Sequence, residues 1–432
     1  MRCLDLSLEK LDSAALKNAD LVAIYVGMHT ATRIAIEALP RVKQLAPKAH
    51  LCVYGLYAPM NETLLRSLGV GTVLGGEVEP AMVSLCRRLR QSGAASAQTE
   101  PVTSLAKVRF EVPDRSGLPQ LARYAHLVLP DGSTTRVAGF AEGSRGCKHL
   151  CRHCPVVPVY AGKFRIVPAE VVLEDIRQQV EQGASHISFG DPDFLNGPTH
   201  GLKLARALHQ AFPQISFDAT IKIQHLIARA DLLPELRASG CLFITSAVEA
   251  VDDEVLRLLD KNHVSRDFDR AVALTRAAGI ALAPTFVAFT PWTTPQGYLE
   301  LLERLVELRL VESVPPVQLA IRLLVPQGSR LLELPGFREK LSPFDAALLG
   351  YPWQHPDPRV DRLQRDVQAL VTRGEQDKLA RREVFAAVWR MAHDAAGRSA
   401  APLPSRLGEP IPHLSEPWYC CAEPTDQQLH SF

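Results

Sequence analysis

Cys147, Cys151 and Cys154 fall in one short stretch at the spacing Cys-x-x-x-Cys-x-x-Cys, with Gly143 and Gly146 before them and Pro155 after. Thiolates are the usual ligands of iron–sulfur clusters, and a four-iron cluster takes four ligands. Three protein thiolates leave one iron open, as a catalytic metal site leaves a position open for its substrate. The amine and carboxylate of an amino acid moiety could chelate that iron. A zinc knuckle is the alternative, but zinc asks for a fourth Cys or His at matching spacing. His149 and His153 lie inside the loop rather than in a second ligand pair.

An apolar segment from Val137 to Phe140 leads into the cysteines, and a strand–helix alternation follows them. Pro168 starts a helix through Gln182, with Glu170 in its first turn. Strand patterns follow at His186–Phe189, Ile215–Ala219, Leu242–Val248, Ala281–Phe289 and Val317–Leu324. These make about six βα units, an open partial barrel in which chemistry belongs at the strand C-terminal ends. Polar residues sit at several of those ends. Asp191 and Asp193 follow one strand; an Asp-Pro turn explains them equally well. Ser246 and Glu249 end another, where a glutamate at a helix start is the alternative. Arg322 lies inside an otherwise apolar run. An unpaired charge buried there costs several kcal/mol, so it should face a partner or a ligand.

The cysteine spacing resembles the signature of the radical S-adenosylmethionine (SAM) superfamily. That resemblance implies a [4Fe-4S] cluster held by Cys147, Cys151 and Cys154, with SAM chelating the open iron. It implies cleavage of a carbon–sulfur bond after one-electron reduction by a donor such as flavodoxin or ferredoxin. Asp191 or Asp193 stands where the family has a Gly-Gly-Glu turn on the SAM amino group. Glu249, with Ser246 beside it, matches the position that binds the SAM ribose. Arg322 is expected on the SAM carboxylate or the substrate. His153 occupies a place where the family usually carries an aromatic.

Residues 1–100 alternate strands at Leu21–Val26, His50–Tyr54 and Val70–Leu74 with helices, which implies a parallel sheet covered on both faces. This part resembles the cobalamin-binding domain that precedes many radical SAM cores, most closely in the run from Gly69 to the Gly75-Gly76-Glu77 turn. Of the cobalt-ligating Asp-x-His-x-x-Gly pattern, however, only His29 is present. A Rossmann-like domain without cofactor is the competing reading. Gln91 to Glu100 is expected to be a linker.

Residues 336–432 carry two amphipathic helix patterns, Asp361–Leu370 and Lys378–Ala395, and then an irregular tail. Two adjacent thiols, Cys420 and Cys421, lie in that tail between Trp418 and Pro424. Soft thiolates suit soft acceptors such as copper, zinc or trivalent arsenic. A tail that merely packs against the fold is the alternative. The Cys-Cys-Ala-Glu-Pro run on such a core resembles the CUAEP/CCAEP-tail radical SAM family, and the chain is also similar to the radical SAM enzyme of arsinothricin biosynthesis. The second likeness implies transfer of the 3-amino-3-carboxypropyl group of SAM to arsenite held by Cys420 and Cys421. Deoxyadenosyl-radical chemistry or cobalamin-assisted methyl transfer is the enzymatic alternative. A non-catalytic cluster or thiol module is the other.

The expected architecture is therefore α/β: a Rossmann-like, cobalamin-binding-like domain over 1–100, a partial (β/α)6 barrel over 105–335, and a helical extension with the Cys-Cys tail over 336–432. The formal net charge of +1 gives no nucleic-acid footprint. An apolar content of 47% is ordinary for a soluble α/β enzyme. The start shows no signal peptide, and no apolar run is long enough to span a bilayer. Nine cysteines, an odd count, argue for metal or redox chemistry rather than a disulfide framework, and so for the cytoplasm.

Overall fold

The computed structural model describes residues 1–92 and 97–416, so Cys420 and Cys421 lie outside the described residues. The first sheet has the order β1 (Leu21–Tyr25), β2 (His50–Tyr54), β3 (Thr72–Gly76) and β4 (Thr103–Ser104), all parallel. Helices His29–Leu45, Glu62–Ser67 and Glu79–Ser92 alternate with its strands. Val26, Leu39, Val42, Leu51, Val53, Leu65 and Val73 form the core between the layers. The described end of the expected linker is bonded to this sheet. The Gln98 amide donates to Val73 O and accepts from Val73 N, each at 3.1 Å, and Glu100 pairs with Arg88 at 3.0 Å.

The chain then forms β5 (His126–Val128) and β6 (Thr135–Ala141), and a two-stranded ribbon of β7 (Ser144–Gly146) and β8 (Phe164–Ile166) follows. Next come β9 (His186–Phe189), β10 (Ser216–Thr220), β11 (Cys241–Glu249) and β12 (Ala281–Phe286). With β13 (His413–Leu414) they build a seven-stranded sheet of order β12-β11-β10-β9-β6-β5-β13. From β6 to β12 neighbours are parallel and consecutive, which is the half-barrel that strand–helix alternation dictates. Beyond β6, β5 and β13 pair antiparallel.

The sixth βα strand expected over Val317–Leu324 is reduced to a single parallel bridge, Phe289 to Arg322. Its first residues instead form a 3₁₀ turn, Pro316–Leu319. Pro315 and Pro316 bring no backbone N–H to a ladder and fix φ near a helical value, so a turn wins there over a strand.

Both C-terminal helices form, over Pro358–Gln376 and Arg381–Ala395. Their apolar stripes, with Val360, Leu363, Val367, Val388 and Trp389, join the barrel's own core. Arg322 ties the bridge to the first of these helices. Its guanidinium bonds Asp361 at 2.8 Å, donates to the Trp353 carbonyl, and stacks on the Trp353 ring 3.5 Å from its centroid. The partner foreseen for this charge is thus protein.

Breaking a largely enclosed ion pair by removing one member costs about 3 kcal/mol. Arg322→Ala is expected to lower stability by that amount in urea titration. Loss of SAM cleavage with an unchanged midpoint would return Arg322 to the site.

Candidate functional site

The three cysteines sit on an excursion that leaves the sheet just after β6, at its C-terminal end. The ribbon of β7 and β8 forms the neck of that excursion, pairing Ser144 with Ile166 and Gly146 with Phe164. Gly146 has φ +76°, and a Cβ there would lie 2.4 Å from the Tyr160 ring and 2.5 Å from Lys163 O. Only glycine takes that conformation in that space.

Below the neck Asp191 is enclosed. It accepts the Gly143 amide at 2.8 Å and the Ser144 hydroxyl at 2.6 Å. Burial pushes its carboxyl up to about 7, against the pull of those two donors. Its neighbour Gly190 has no room for a Cβ, which would stand 2.0 Å from the Phe140 ring. The outer part of the loop is pinned by later strand-end segments. Arg152 donates to the carbonyls of Arg257 and Leu258, Arg330 to Leu150 O, and Ser329 to Arg152 O.

Cys147 and Cys151 are buried, and Cys154 is half-buried. Burial pushes the Cys147 thiol up to about 11, opposed by the His149 amide and by Asn196. A metal must therefore supply the positive charge that deprotonates it. Asn196 Oδ1 accepts from the Lys148 amide at 3.3 Å and lies 3.7 Å from Cys147 Sγ, and the Lys222 ammonium is 3.4 Å from Cys151 Sγ. A soft, thiol-only donor set with a cation and an amide beside it fits an iron–sulfur cluster.

Glu249 ends β11 in an unusual way. A register shift between Ala247 and Glu249 coincides with φ +70° at Glu249, a conformation that costs a non-glycine residue about 1–2 kcal/mol. The kink re-aims the side chain toward the cysteine loop, as bulges beside functional sites do. Its carboxylate meets His153 Nε2 at 3.0 Å and Lys261 Nζ at 3.1 Å. Burial works against its charge, but Lys261 and His153 outweigh that and hold the carboxyl well below the usual range.

Asp193 is wholly enclosed and faces His149 and His225. Burial again opposes the charge, and the two imidazoles hold the carboxyl down at about 2. Ser246 donates to Ile221 O at 2.6 Å.

The structure thus brings Asp191, Asp193 and Glu249 to the cysteine loop, keeps Ser246 within β11 on Ile221 O, and leaves Arg322 against the C-terminal helices. Asn196, Lys222, His225 and Lys261 were not foreseen. All four lie in segments after β9, β10 or β11, where the strand-end rule places functional groups.

In the first sheet, His29 is buried and its Nε2 meets Leu348 O at 2.7 Å; burial pushes its pKa down to about 4. Nε2 is thus engaged, while Nδ1 is buried without a hydrogen-bond partner. A Cβ at Gly76 would stand 2.1 Å from Ser104 O, so the glycine turn of β3 accommodates β4.

Residues 142–308 match the family model described as the Radical SAM superfamily. The chain is 24% identical over 152 residues to hopanoid C-3 methylase of Methylococcus capsulatus, covering 35% of this chain and 29% of that protein. It is 23% identical over 186 residues to the ribosomal protein uS12 methylthiotransferase RimO of Porphyromonas gingivalis, covering 41% and 43%. The chain thus spans less than half the length of either relative.

Among solved structures it is similar to OxsB, a cobalamin-dependent S-adenosylmethionine radical enzyme. The TM-score is 0.62 at 15% identity, over 87% of this chain and 63% of that one. It is also similar to TsrM of Kitasatospora setae, a radical SAM methyltransferase with cobalamin and a [4Fe-4S] cluster bound. There the TM-score is 0.54 at 16% identity, over 67% and 60%. At such identities the likeness establishes the fold. The match of residues 142–308 to the Radical SAM superfamily implies a [4Fe-4S] cluster and SAM as cofactors. The chain is an enzyme whose segment 142–308 matches the radical SAM superfamily.

Proposed function

We propose that this enzyme moves a SAM-derived group onto a small-molecule acceptor. The observation that carries the reading is the thiol excursion at the C-terminal end of β6, inside the segment that matches the superfamily. Cys147, Cys151 and Cys154 hold the cluster, which when bound supplies both the open iron for the SAM amine and carboxylate and the electron that breaks a carbon–sulfur bond. The chain's own residues bind and orient. Lys222 offsets thiolate charge at Cys151, and Asp191 fixes the entry to the loop. The Gly190–Asp193 turn borders the methionine end of SAM, with Ser246 and Glu249 on the ribose side. A one-electron donor such as flavodoxin or ferredoxin completes the system.

For the acceptor we infer trivalent arsenic held by the adjacent thiols of Cys420 and Cys421, in an arsinothricin-type synthesis of an organoarsenical. Two features support this. Vicinal thiolates are a soft donor pair. In addition, β13 is antiparallel to β5, which is antiparallel to β6, so β13 runs toward the end of the sheet that carries the cysteine loop. The net transfer balances: the SAM cation, arsenite and two electrons give methylthioadenosine, the aminocarboxypropyl arsenical and hydroxide. A second reading, cobalamin-dependent methyl transfer, draws on the fold shared with OxsB.

Each of Cys147→Ser, Cys151→Ser and Cys154→Ser is expected to abolish the cluster's visible absorbance and bring SAM cleavage to background, with circular dichroism unchanged. Cleavage that persists in all three variants would remove the basis of the reading.

Reduced, cluster-loaded enzyme given SAM and arsenite is expected to yield methylthioadenosine and an arsenical carrying the aminocarboxypropyl group. The double variant Cys420→Ser, Cys421→Ser should lose the arsenical. Deoxyadenosine as the nucleoside, or a methylated product that requires added cobalamin, would favour the second reading.

A further inference from the structure

His149, Asp193 and His225 converge from three separate segments: the cysteine loop, the turn after β9 and the helix Ile223–Ala228 after β10. One ligand atom from each lies within 4.8 Å of the other two. Asp193 Oδ2 stands 2.6 Å from His225 Nδ1 and 3.4 Å from His149 Nε2, and the two imidazole centroids are 4.9 Å apart.

These are ion-pair approaches without the direction of well-formed hydrogen bonds. Asp193 Oδ2, His225 Nδ1 and His149 Nε2 are all buried polar atoms with no hydrogen-bond partner. The Asp193 side chain is 0% exposed, that of His225 9% and that of His149 10%. The other carboxylate oxygen, Oδ1, accepts the Leu195 amide at 3.3 Å. The Lys222 ammonium is spent on Cys151 Sγ and makes no ion pair with Asp193. Buried polar atoms are nearly always satisfied, and a bound ion is a recognised reason when several close together are not. Three buried ligand atoms within 4.8 Å of one another make a donor set that a cation would satisfy.

We propose that His149, Asp193 and His225 bind a divalent first-row transition metal ion at a site distinct from the iron–sulfur cluster. Two imidazoles and one carboxylate suit manganese, ferrous iron, cobalt or zinc, whereas the all-thiol set of Cys147, Cys151 and Cys154 suits the cluster. Three protein ligands leave coordination positions open, which is the pattern of a reactive rather than a purely structural metal site. The ion ties the cysteine loop to the ends of β9 and β10, and it removes Asp193 from the candidate contacts of the SAM ammonium. The assignment does not depend on SAM chemistry: failure of SAM cleavage leaves the ion count unaffected, and failure of the ion count leaves SAM cleavage unaffected.

The test uses the full-length, anaerobically reconstituted protein, whose loop thiols are occupied by the cluster. Titration with Mn2+, followed by the electron paramagnetic resonance signal of the free ion, is expected to show one bound Mn2+ per chain. Asp193→Asn and His225→Gln should each weaken binding by about tenfold or more, since even changes to outer-shell groups cost a metal site that much. Should Asp193→Asn fail to fold, His225→Gln and His149→Gln carry the same readout. Co2+ in place of Mn2+ should give weak visible bands without an intense thiolate charge-transfer band. No bound Mn2+ in the wild-type chain would overturn the proposal. So would binding that is unchanged in the Asp193 and His225 variants but lost when Cys147, Cys151 and Cys154 are all serine.

Discussion

Asp191 receives the Gly143 amide and the Ser144 hydroxyl in a place closed to water, and through these two bonds it fixes the entry to the cysteine excursion. Its position is costly. Desolvation disfavours a buried carboxylate, and only hydrogen bonds or charges that prefer the ionised form offset this. The same requirement recurs around the loop. Glu249 is stabilised by Lys261 and His153, and the Cys151 sulfur by Lys222. The loop that must present three thiols has only one short helix, Val157–Tyr160. Its shape is therefore set by buried polar contacts to the strand ends, each of which becomes expensive if a partner is lost.

Backbone geometry serves the same end. Glu249 takes a left-handed conformation where β11 shifts register, and Asp260 and Asn262 do so on either side of Lys261. Strained residues of this kind persist where the surroundings over-determine them. Here the surroundings are the carboxylate, ammonium and imidazole of Glu249, Lys261 and His153, which meet only if both segments adopt these angles.

The parts of this design that depend on local pattern were legible in the sequence. Cysteine spacing, strand–helix alternation and the position of the loop after an apolar strand are short-range signals, and the cysteine loop and the strands of the half-barrel follow them. His153 stood out because it replaces an aromatic, and the structure shows it engaged with Glu249. What stayed hidden depends on long-range pairing. Nothing near Arg322 announces Asp361 or the Trp353 ring, and nothing near Lys222 announces Cys151. The run from Val317 to Leu324 is apolar enough for a strand, yet two prolines and its place at the sheet edge leave a single bridge. Two residues of β13 pair with β5, nearly three hundred positions earlier, which no local periodicity reports.

The first domain bears on the loop through the same electrostatics. Arg145, two residues before Cys147, is held by Glu77 at 3.2 Å, by Glu79 and by Glu142 at 3.4 Å. Glu77 ends the β3 turn of the first sheet and is fully buried, and burial pushes its carboxyl up, as it does for Glu142. The Arg145 guanidinium offsets that burial at the neck of the excursion. On the apolar side, Leu56 and Leu105 pack against Cys147, Val156, Val159 and Tyr160. The first domain thus packs Leu56 against the cysteine loop and holds its neck through Glu77 and Arg145. The engagement of His29 by Leu348 O is consistent with that load, because it joins the helix after β1 to the C-terminal part of the chain. A change in this domain that shifted Glu77 would reach Cys147 through a single ion pair and two backbone residues.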